Sequence, residues 1–252
     1  MRRRIIIGYA WIAPLLLVFL WPHAPLAGIA ALMLSHALLL YPTLRPNVQW
    51  LGPVTTAFAT EAREVWLTID DGPTGDTPAI LDMLDERRAR ATFFVTGQQA
   101  SIAPGLVREI LSRGHEIANH SQTHPSGTFW CLLPFAIAAE IDACNRVLQT
   151  ITGRQPRLFR APVGMKNPAV HPHLRRRNMI LVGWTVRGFD SIDSDENRVA
   201  ARILAKVKPG AVVVMHQGRD YSARCIGHVI DQLRENGYSF VIPSEGRLKT
   251  KR

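Results

Sequence analysis

Two adjacent carboxylates, Asp70 and Asp71 in the stretch LTIDDGPT, are the first candidates for chemistry in this chain. Side-by-side carboxylates repel each other, and their burial is costly unless each has its own partner. One could bind a metal ion while the other, held by a cation, stays free as a base. The alternative is an ordinary Asp-Gly turn in which both carboxylates are solvated.

A pair of histidines, His120 and His124 in NHSQTH, stands four residues apart. In a helix or a tight turn this spacing lets two imidazoles reach one ion. The alternative is two ordinary histidines of a polar loop. Joined by one aspartate, the pair would form a three-ligand set with positions left open for water and substrate, which is typical of a catalytic metal site.

Two further side chains could serve the same site. Arg160 in FRAPVG could grip a carboxylate and keep it ionised, or it could form a surface salt bridge. His216 ends the apolar run AVVVMH, where an imidazole could donate a proton to a leaving group. The alternative for His216 is a hydrogen-bonded histidine at the end of a strand.

These side chains are distant in sequence, and the pattern after Glu64 predicts a fold that brings them together. Short apolar runs predict strands at 65–69, 91–95, 116–120, 158–162, 180–186, 211–216 and 239–243. The segments between them predict helices at 77–89, 103–113, 134–150, 196–207 and 223–236, with a shorter one near 168–177. Apolar strands alternating with helices favour a parallel α/β barrel, with a doubly wound open sheet as the alternative. The candidates follow strand ends, where parallel α/β folds gather functional groups.

The first sixty residues predict a membrane anchor. Two apolar runs, ending at Trp21 and Tyr41, each approach the ~20 residues that cross a bilayer. A secretory signal peptide with a basic start is the alternative for the first run. The arginines at 2–4 predict a cytoplasmic N-terminus, and two spans would return the chain to that face. We therefore expect an integral protein of a bacterial-type inner membrane, with an anchor and linker over 1–60 and a cytoplasmic catalytic domain over 61–252.

The bulk composition narrows the partners and cofactors. The formal net charge is +10, yet no helix-turn-helix, zinc-finger or RNA-binding signature indicates a nucleic-acid partner. An anionic membrane surface fits the basic clusters better, and the alternative is that they form ordinary solvated faces. The three cysteines include no CxxC, which argues against a disulfide framework and a thiolate zinc site. Histidine and aspartate would have to supply any metal ligands.

The ordered motifs TIDDGPT, HSQTH, RAPVG, WTVRGFDS and VMHQG resemble those of the polysaccharide deacetylase family, which is carbohydrate esterase family 4 with its NodB homology domain. The resemblance covers about residues 64–245. It implies a distorted (β/α)7-type barrel, here preceded by the two-helix transmembrane hairpin. It also implies removal of acetyl groups from N-acetylated sugars with the help of a divalent metal ion, usually zinc.

The resemblance implies a role for each matching position. Asp70 resembles the general base, and Arg160 would hold and tune it. The metal ligands implied are Asp71, His120 and His124, and His216 resembles the general acid. The backbone N–H of Val163 would help to stabilise the tetrahedral oxyanion.

Departures from the family pattern concern the pocket wall. Val163 stands where the family often has tyrosine, and in the motif that begins at Trp184 an aspartate is replaced by Arg187 and a tryptophan by Ser191. Asp190 remains as a partner for Arg160 or His216, and Trp184 remains a candidate for substrate contact.

These departures leave the substrate open. A polymer such as chitooligosaccharide or peptidoglycan is one reading, and a lipid-linked sugar reached from the membrane surface is the other. A function of another class is a non-catalytic carbohydrate-binding or assembly protein on the same scaffold.

Overall fold

The computed structural model describes residues 2–250 as a helical hairpin followed by an α/β barrel. The helices are α1 (Arg2–Leu20), α2 (Pro25–Leu44), α3 (Thr77–Glu86), α4 (Gly97–Ile102), α5 (Pro104–Ser112), α6 (Pro134–Thr152), α7 (Val170–Arg176), α8 (Glu196–Leu204) and α9 (Ser222–Glu235). The strands are β1 (Thr55–Phe58), β2 (Glu64–Gly72), β3 (Ala91–Val95), β4 (Glu116–Asn119), β5 (Leu158–Phe159), β6 (Ile180–Leu181), β7 (Val186–Arg187), β8 (Ala211–His216), β9 (Ser239–Phe240) and β10 (Leu248–Thr250).

Parallel pairing runs through β8-β2-β3-β4-β5-β6, with β7 on the far side of β8. The segment that contains β6 and β7 pairs with β5 at its start and with β8 at its end. A bridge between Thr55 and Val182 completes the ring beside β1. The distorted barrel predicted from the sequence is therefore confirmed.

Strand alternation explains why β2 delivers a carboxylate to the barrel interior. Val65, Leu67 and Ile69 pack outward into the core formed with the helices. Trp66 belongs to the inner cluster, and the period of two places Thr68 and Asp70 on the same inner face. Residues of β8 alternate in the same way, so that His216 stands beside Asp70 in the register.

Several elements differ from the sequence-based expectations. The strands predicted at 158–162 and 239–243 shorten to two residues each, and 180–186 divides into β6 and β7 around Gly183. The predicted helix at 103–113 is preceded by a separate α4, since Pro104 opens a new helix. Antiparallel β1 and β10 were not predicted. The boundary expected at 60/61 falls after β1, which is already part of the sheet.

The helical hairpin packs on the domain at the end where α1 begins and α2 finishes. The guanidinium of Arg3 donates to the carbonyl of Pro168 at 3.1 Å. Buried Lys166 donates to the carbonyls of Arg45 and Pro46, each at 2.8 Å. By length and composition both helices could cross a membrane. The hairpin is therefore joined to the domain by specific polar contacts as well as by the chain.

Candidate active site

One cavity of about 380 Å³ lies at the carboxyl ends of the barrel strands. Most of the residues proposed from the sequence line it, namely Asp70, Asp71, His120, His124, Val163, Trp184 and His216. The other two, Arg160 and Asp190, are buried behind the wall and contact cavity residues. The fold thus gathers every proposed side chain around one space.

The candidate metal ligands are Asp71, His120 and His124, whose donor atoms all lie within 4.8 Å of one another. The Nε2 atoms of both histidines lie 3.4 Å from Asp71 Oδ1. His120 Nδ1 lies 2.9 Å from the carbonyl oxygen of Arg160, which can only accept, so Nδ1 carries the proton. Nε2 therefore faces Asp71 as the nitrogen that a metal ion would bind in place of a proton, and this donor set fits a divalent transition metal.

The loop that carries the two histidines is shaped by its own polar network. Asn119 Oδ1 accepts from the Ser121 N–H at 2.7 Å, and Ser121 Oγ accepts from the His124 N–H at 3.1 Å. Ser121 and His124 both have positive φ, 69° and 52°, and Asp71 likewise has φ 75°. Left-handed residues other than glycine are uncommon and concentrate at functional sites. The loop is thus bent so that both imidazoles turn to one point.

The electrostatics of the three candidate ligands are coupled. Burial opposes ionisation of Asp71, but the hydrogen bond and charge of His120 hold the pKa of Asp71 well below its usual range. Burial also opposes the charged form of His120, while the charges of Asp70 and Asp71 raise its pKa. Burial and the nearby His120 lower the pKa of His124. A carboxylate that stays ionised beside two imidazoles is the environment that a cation needs.

Asp70 is held by Arg160, a guanidinium only 1% exposed. Arg160 Nη1 donates to Asp70 Oδ1 at 2.6 Å and to the hydroxyl of Thr68 at 2.9 Å. Its other nitrogens donate to the carbonyls of Val182 and Gly183. The cation is therefore paired and hydrogen-bonded on every side, as a buried charge must be. Asp70 Oδ2 stays on the cavity side, 3.8 Å from His120 Nε2.

His216 is paired with Asp190. Of the two partners that the sequence offered for Asp190, Arg160 and His216, the structure shows His216. The backbone N–H of His216 donates to Asp190 Oδ2 at 2.6 Å, and the ring Nδ1 lies 3.1 Å from Asp190 Oδ1. Burial disfavours the imidazolium, but the hydrogen bond and charge of Asp190 outweigh it and raise the pKa of His216 to about 9. His216 is thereby suited to carry a proton at neutral pH, with Nε2 left for the substrate.

Val163 forms part of the cavity wall in a strained backbone conformation, with φ 55° and ψ 10°. A β-branched residue in this region costs about 1–2 kcal/mol.

We expect Val163→Gly to raise the free energy of unfolding by about 1 kcal/mol, or the melting temperature by about 2–4 °C. Thermal unfolding of the detergent-solubilised chain measures this. Val163→Ala keeps the Cβ and should gain little, so equal melting of the two variants would contradict the assignment of strain.

Sequence reasoning missed the residues that support and line the site. Thr68 supports Arg160, Phe94 lies 4.1 Å beneath its guanidinium, and the Tyr221 hydroxyl donates to the Asp190 carbonyl at 3.0 Å. Phe189 and Arg219 also line the cavity. The inward position of Thr68 could have been found from its spacing of two from Asp70. The others depend on contacts between distant segments.

The sequence model of the polysaccharide deacetylase family matches residues 58–180 of the chain. The chain is 32% identical over 192 residues to a chitooligosaccharide deacetylase of Bradyrhizobium sp., covering 70% of this chain and 87% of that protein. The chain belongs to the polysaccharide deacetylase family. As the resemblance implied, both the fold and the motifs are those of a NodB homology domain.

Two more members of the polysaccharide deacetylase family are similar over most of the domain. A peptidoglycan-N-acetylmuramic acid deacetylase of Bacillus subtilis is 32% identical over 186 residues, covering 72% of this chain and 70% of the relative. The structure of a family 4 carbohydrate esterase from Streptomyces lividans in complex with acetate superimposes with a TM-score of 0.68 at 30% identity, covering 76% of this chain and 98% of that one. These relatives support carbohydrate deacetylation as the activity of the family.

Proposed function

We propose that this chain is a membrane-anchored, metal-dependent hydrolase that removes the N-acyl group, acetyl in the first instance, from an amino sugar. The observation that carries the proposal is that the titratable side chains around one cavity have different partners, which suit them to different roles. The ionised Asp71 faces two imidazoles, Asp70 is held by Arg160, and His216 is held by Asp190. A base, an acid and a metal-ligand set are then available to one substrate amide.

The first half of the reaction is the attack of water on the amide carbonyl. A divalent ion held by Asp71, His120 and His124 would supply Lewis acidity toward the carbonyl and the water. Asp70 takes the proton from the water, since its charge is fixed by Arg160 and its second oxygen faces the cavity. The Val163 N–H donates to the oxyanion of the tetrahedral intermediate.

The second half is the departure of the amine. The leaving nitrogen must be protonated, and His216 donates this proton because Asp190 keeps its imidazole charged. Asp70 and His216 are neighbours in the register of β2 and β8, so acid and base flank the same amide. The products are the free amino sugar and the carboxylic acid.

Replacing Asp190 with asparagine should move the alkaline limb of the kcat/KM profile to lower pH. The limb reports loss of the His216 proton, and the pKa of His216 is raised to about 9. A cation bound near Asp71 would disfavour the charged imidazole and place the limb at pH 9 or below. Without the Asp190 charge, burial lowers the pKa of His216, and we expect a shift of about 1–3 pH units. A limb that stays in place in Asp190→Asn would argue against His216 as the acid.

We further propose that the α1–α2 hairpin stays attached as an anchor and places the domain at the cytoplasmic face. Contacts of Arg3 and Lys166 tie the hairpin to the domain and favour a retained anchor over a removed signal peptide. Both ends of the hairpin meet the domain, on the side of the arginines at 2–4. The positive-inside rule then favours the cytoplasm for that side.

An apolar segment, FWCLLPF at residues 129–135, leads into the start of α6 and supports a membrane surface beside the domain. Leu133 is 60% and Phe135 72% exposed. Trp130 and Leu132 of the same segment line an apolar cleft together with Trp11 of the hairpin. Large exposed apolar residues next to candidate spans are suited to the interface of a bilayer.

The substrate follows from the face on which the domain lies. A cytoplasmic domain meets lipid-linked or soluble sugar precursors, whereas a domain outside the cytoplasm meets cell-wall polymers. A reporter fused to the C-terminus separates the two locations of the domain. A reporter signal from the cytoplasm would rule out a cell-wall polymer as the substrate. Mass spectrometry of membrane lipids and glycans, with the active chain and with Asp70→Asn, would then identify the molecule that loses its acyl group.

The activity itself is tested with the full chain in detergent. N-acetylated chitooligosaccharide, a muramic-acid-containing oligomer and a polyprenyl phosphate-linked N-acetyl amino sugar are supplied with zinc, and acetate release is measured. Metal-dependent release from any of them supports the proposal. Binding without release from all three would instead favour the non-catalytic carbohydrate-binding protein.

A further inference from the structure

Arg187, on β7, is held at the wall of the catalytic cavity by aromatic rings. Its guanidinium lies 4.1 Å from the ring centroid of Phe189 and 5.8 Å from that of Trp184. Stacking of this kind fixes the plane of a guanidinium and leaves its N–H edge free to donate. Arg187 is thus positioned in advance by the rings, and among residues 2–250 no hydrogen-bond acceptor holds its side chain.

The carboxylates closest to Arg187 in the sequence are engaged elsewhere. Asp190 pairs with His216, and Asp193 pairs with Arg198 and Arg202 at 2.8 Å each. Within residues 2–250, no carboxylate oxygen lies within 4.0 Å of the Arg187 guanidinium. A cation at a cavity wall with no counter-charge from the described residues is ready to receive one from a ligand.

A second arginine extends the same charge. Arg219 lies in the exposed loop after β8 and lines the same cavity. Across the described part of the chain it likewise has no carboxylate partner. The cations deeper in the site are already balanced, since Asp70 compensates Arg160 and Asp190 compensates His216. Among the described residues, Arg187 and Arg219 are therefore the arginines of the cavity lining that have no carboxylate partner.

We propose that Arg187, with Arg219 beside the same cavity, forms a subsite for an anionic oxygen group on the sugar that carries the scissile amide. This rests on the proposed function, and it narrows the substrate from any N-acylated amino sugar to an acidic one. The anion is a carboxylate or a phosphate, because both accept paired N–H donors from a guanidinium. A neutral chitin-like sugar would leave the two cations without compensation.

The two sources of the anion are distinguished by the substrates used. The full chain is assayed for acetate release from neutral chitooligosaccharide, from a muramic-acid oligomer with a lactyl carboxylate, and from N-acetylglucosamine 1-phosphate. We expect kcat/KM at least about tenfold higher for one of the acidic substrates than for the neutral one, mainly through KM. The preferred acidic substrate identifies carboxylate or phosphate as the group.

Arg187→Ala should reduce that preference by about tenfold to a hundredfold, and Arg187→Lys should recover part of it. Arg224→Ala is the matched control, because Arg224 is an exposed arginine of α9 that pairs with Glu196 outside the cavity. The preference in the control should equal that of the unaltered chain. An equal preference in Arg187→Ala and Arg224→Ala would overturn the subsite.

A binding measurement separates this inference from the proposed function. Calorimetric titration of the Asp70→Asn chain with the two acidic sugars requires no hydrolysis. We expect binding that weakens about tenfold or more when Arg187→Ala is added and that weakens with rising salt. Hydrolysis of the neutral sugar with no Arg187-dependent binding of an acidic one overturns the subsite alone. Arg187-dependent binding without hydrolysis of any substrate overturns the proposed function alone.

Discussion

Replacing Asp70 with asparagine should lower kcat by about 10²–10⁴-fold while the chain keeps its metal. Asparagine has the same shape and can still accept from Arg160, but its amide cannot take a proton from water. Asp71 and both histidines are unchanged, so the proposed ligand set stays complete. The expected result is a folded, metal-loaded and inactive protein.

Three measurements make the Asp70→Asn result specific. Acetate release gives the activity, elemental analysis gives the metal content, and thermal unfolding gives the stability. Stability should fall, because Arg160 loses the counter-charge that its burial requires, although its bonds to Thr68 and two carbonyls remain. Activity must therefore be compared below the melting temperature of the variant. Asp220→Asn, in the exposed loop after β8, is the matched control. Full activity in Asp70→Asn would remove Asp70 from the role of base.

The long apolar strands of the barrel were predictable from the sequence because burial on both faces gives them an unbroken apolar signal. β3 and β8 have the predicted bounds, and β2 is longer than predicted because pairing continues through the aspartates. Strands of two residues, such as β5 and β6, carry no such signal. Their pairing is decided by the neighbours that the barrel supplies.

The antiparallel edge shows a second limit of sequence reasoning. β1 and β10 lie nearly two hundred residues apart in the chain, and neither has an alternating apolar pattern long enough to be recognised. Their pairing follows from the return of the chain past β9, which only the three-dimensional fold reveals. The segment after the hairpin therefore looked like a linker, although it enters the sheet at Thr55.

The candidate site was predictable to the extent that its residues are chemically distinctive. Aspartate, histidine and arginine at strand ends pointed to one location, and the parallel fold brings those ends together. The choice of partners was not predictable. Asp190 could have paired with Arg160 or His216, and the structure pairs it with His216. The stacking of Arg187 on Phe189 was not predictable either, since it depends on the turn at Phe189, where φ is 66°.

Removal of the metal should abolish activity as completely as loss of the base. A divalent ion contributes several kcal/mol of transition-state stabilisation, so chelation should reduce kcat/KM by about 10³-fold or more. Two imidazoles and one carboxylate favour zinc, cobalt or nickel over magnesium or calcium, which prefer oxygen ligands. Adding back the transition metals should restore activity, whereas magnesium should not. Activity that survives complete chelation would contradict metal dependence.

The ligand set can be tested separately from the chemistry. His124→Ala removes a donor from the exposed side of the site and should weaken metal affinity by at least about 100-fold, measured by competition with a chromophoric chelator. His120→Ala should weaken it similarly and also destabilise the domain, because His120 is buried and bonded to the Arg160 carbonyl. His228→Ala, on α9, controls for the loss of a histidine elsewhere in the domain. If His124→Ala bound metal as tightly as His228→Ala, His124 would not be a ligand. Because affinity is measured without substrate, that result would leave the assignments of Asp70 and His216 standing.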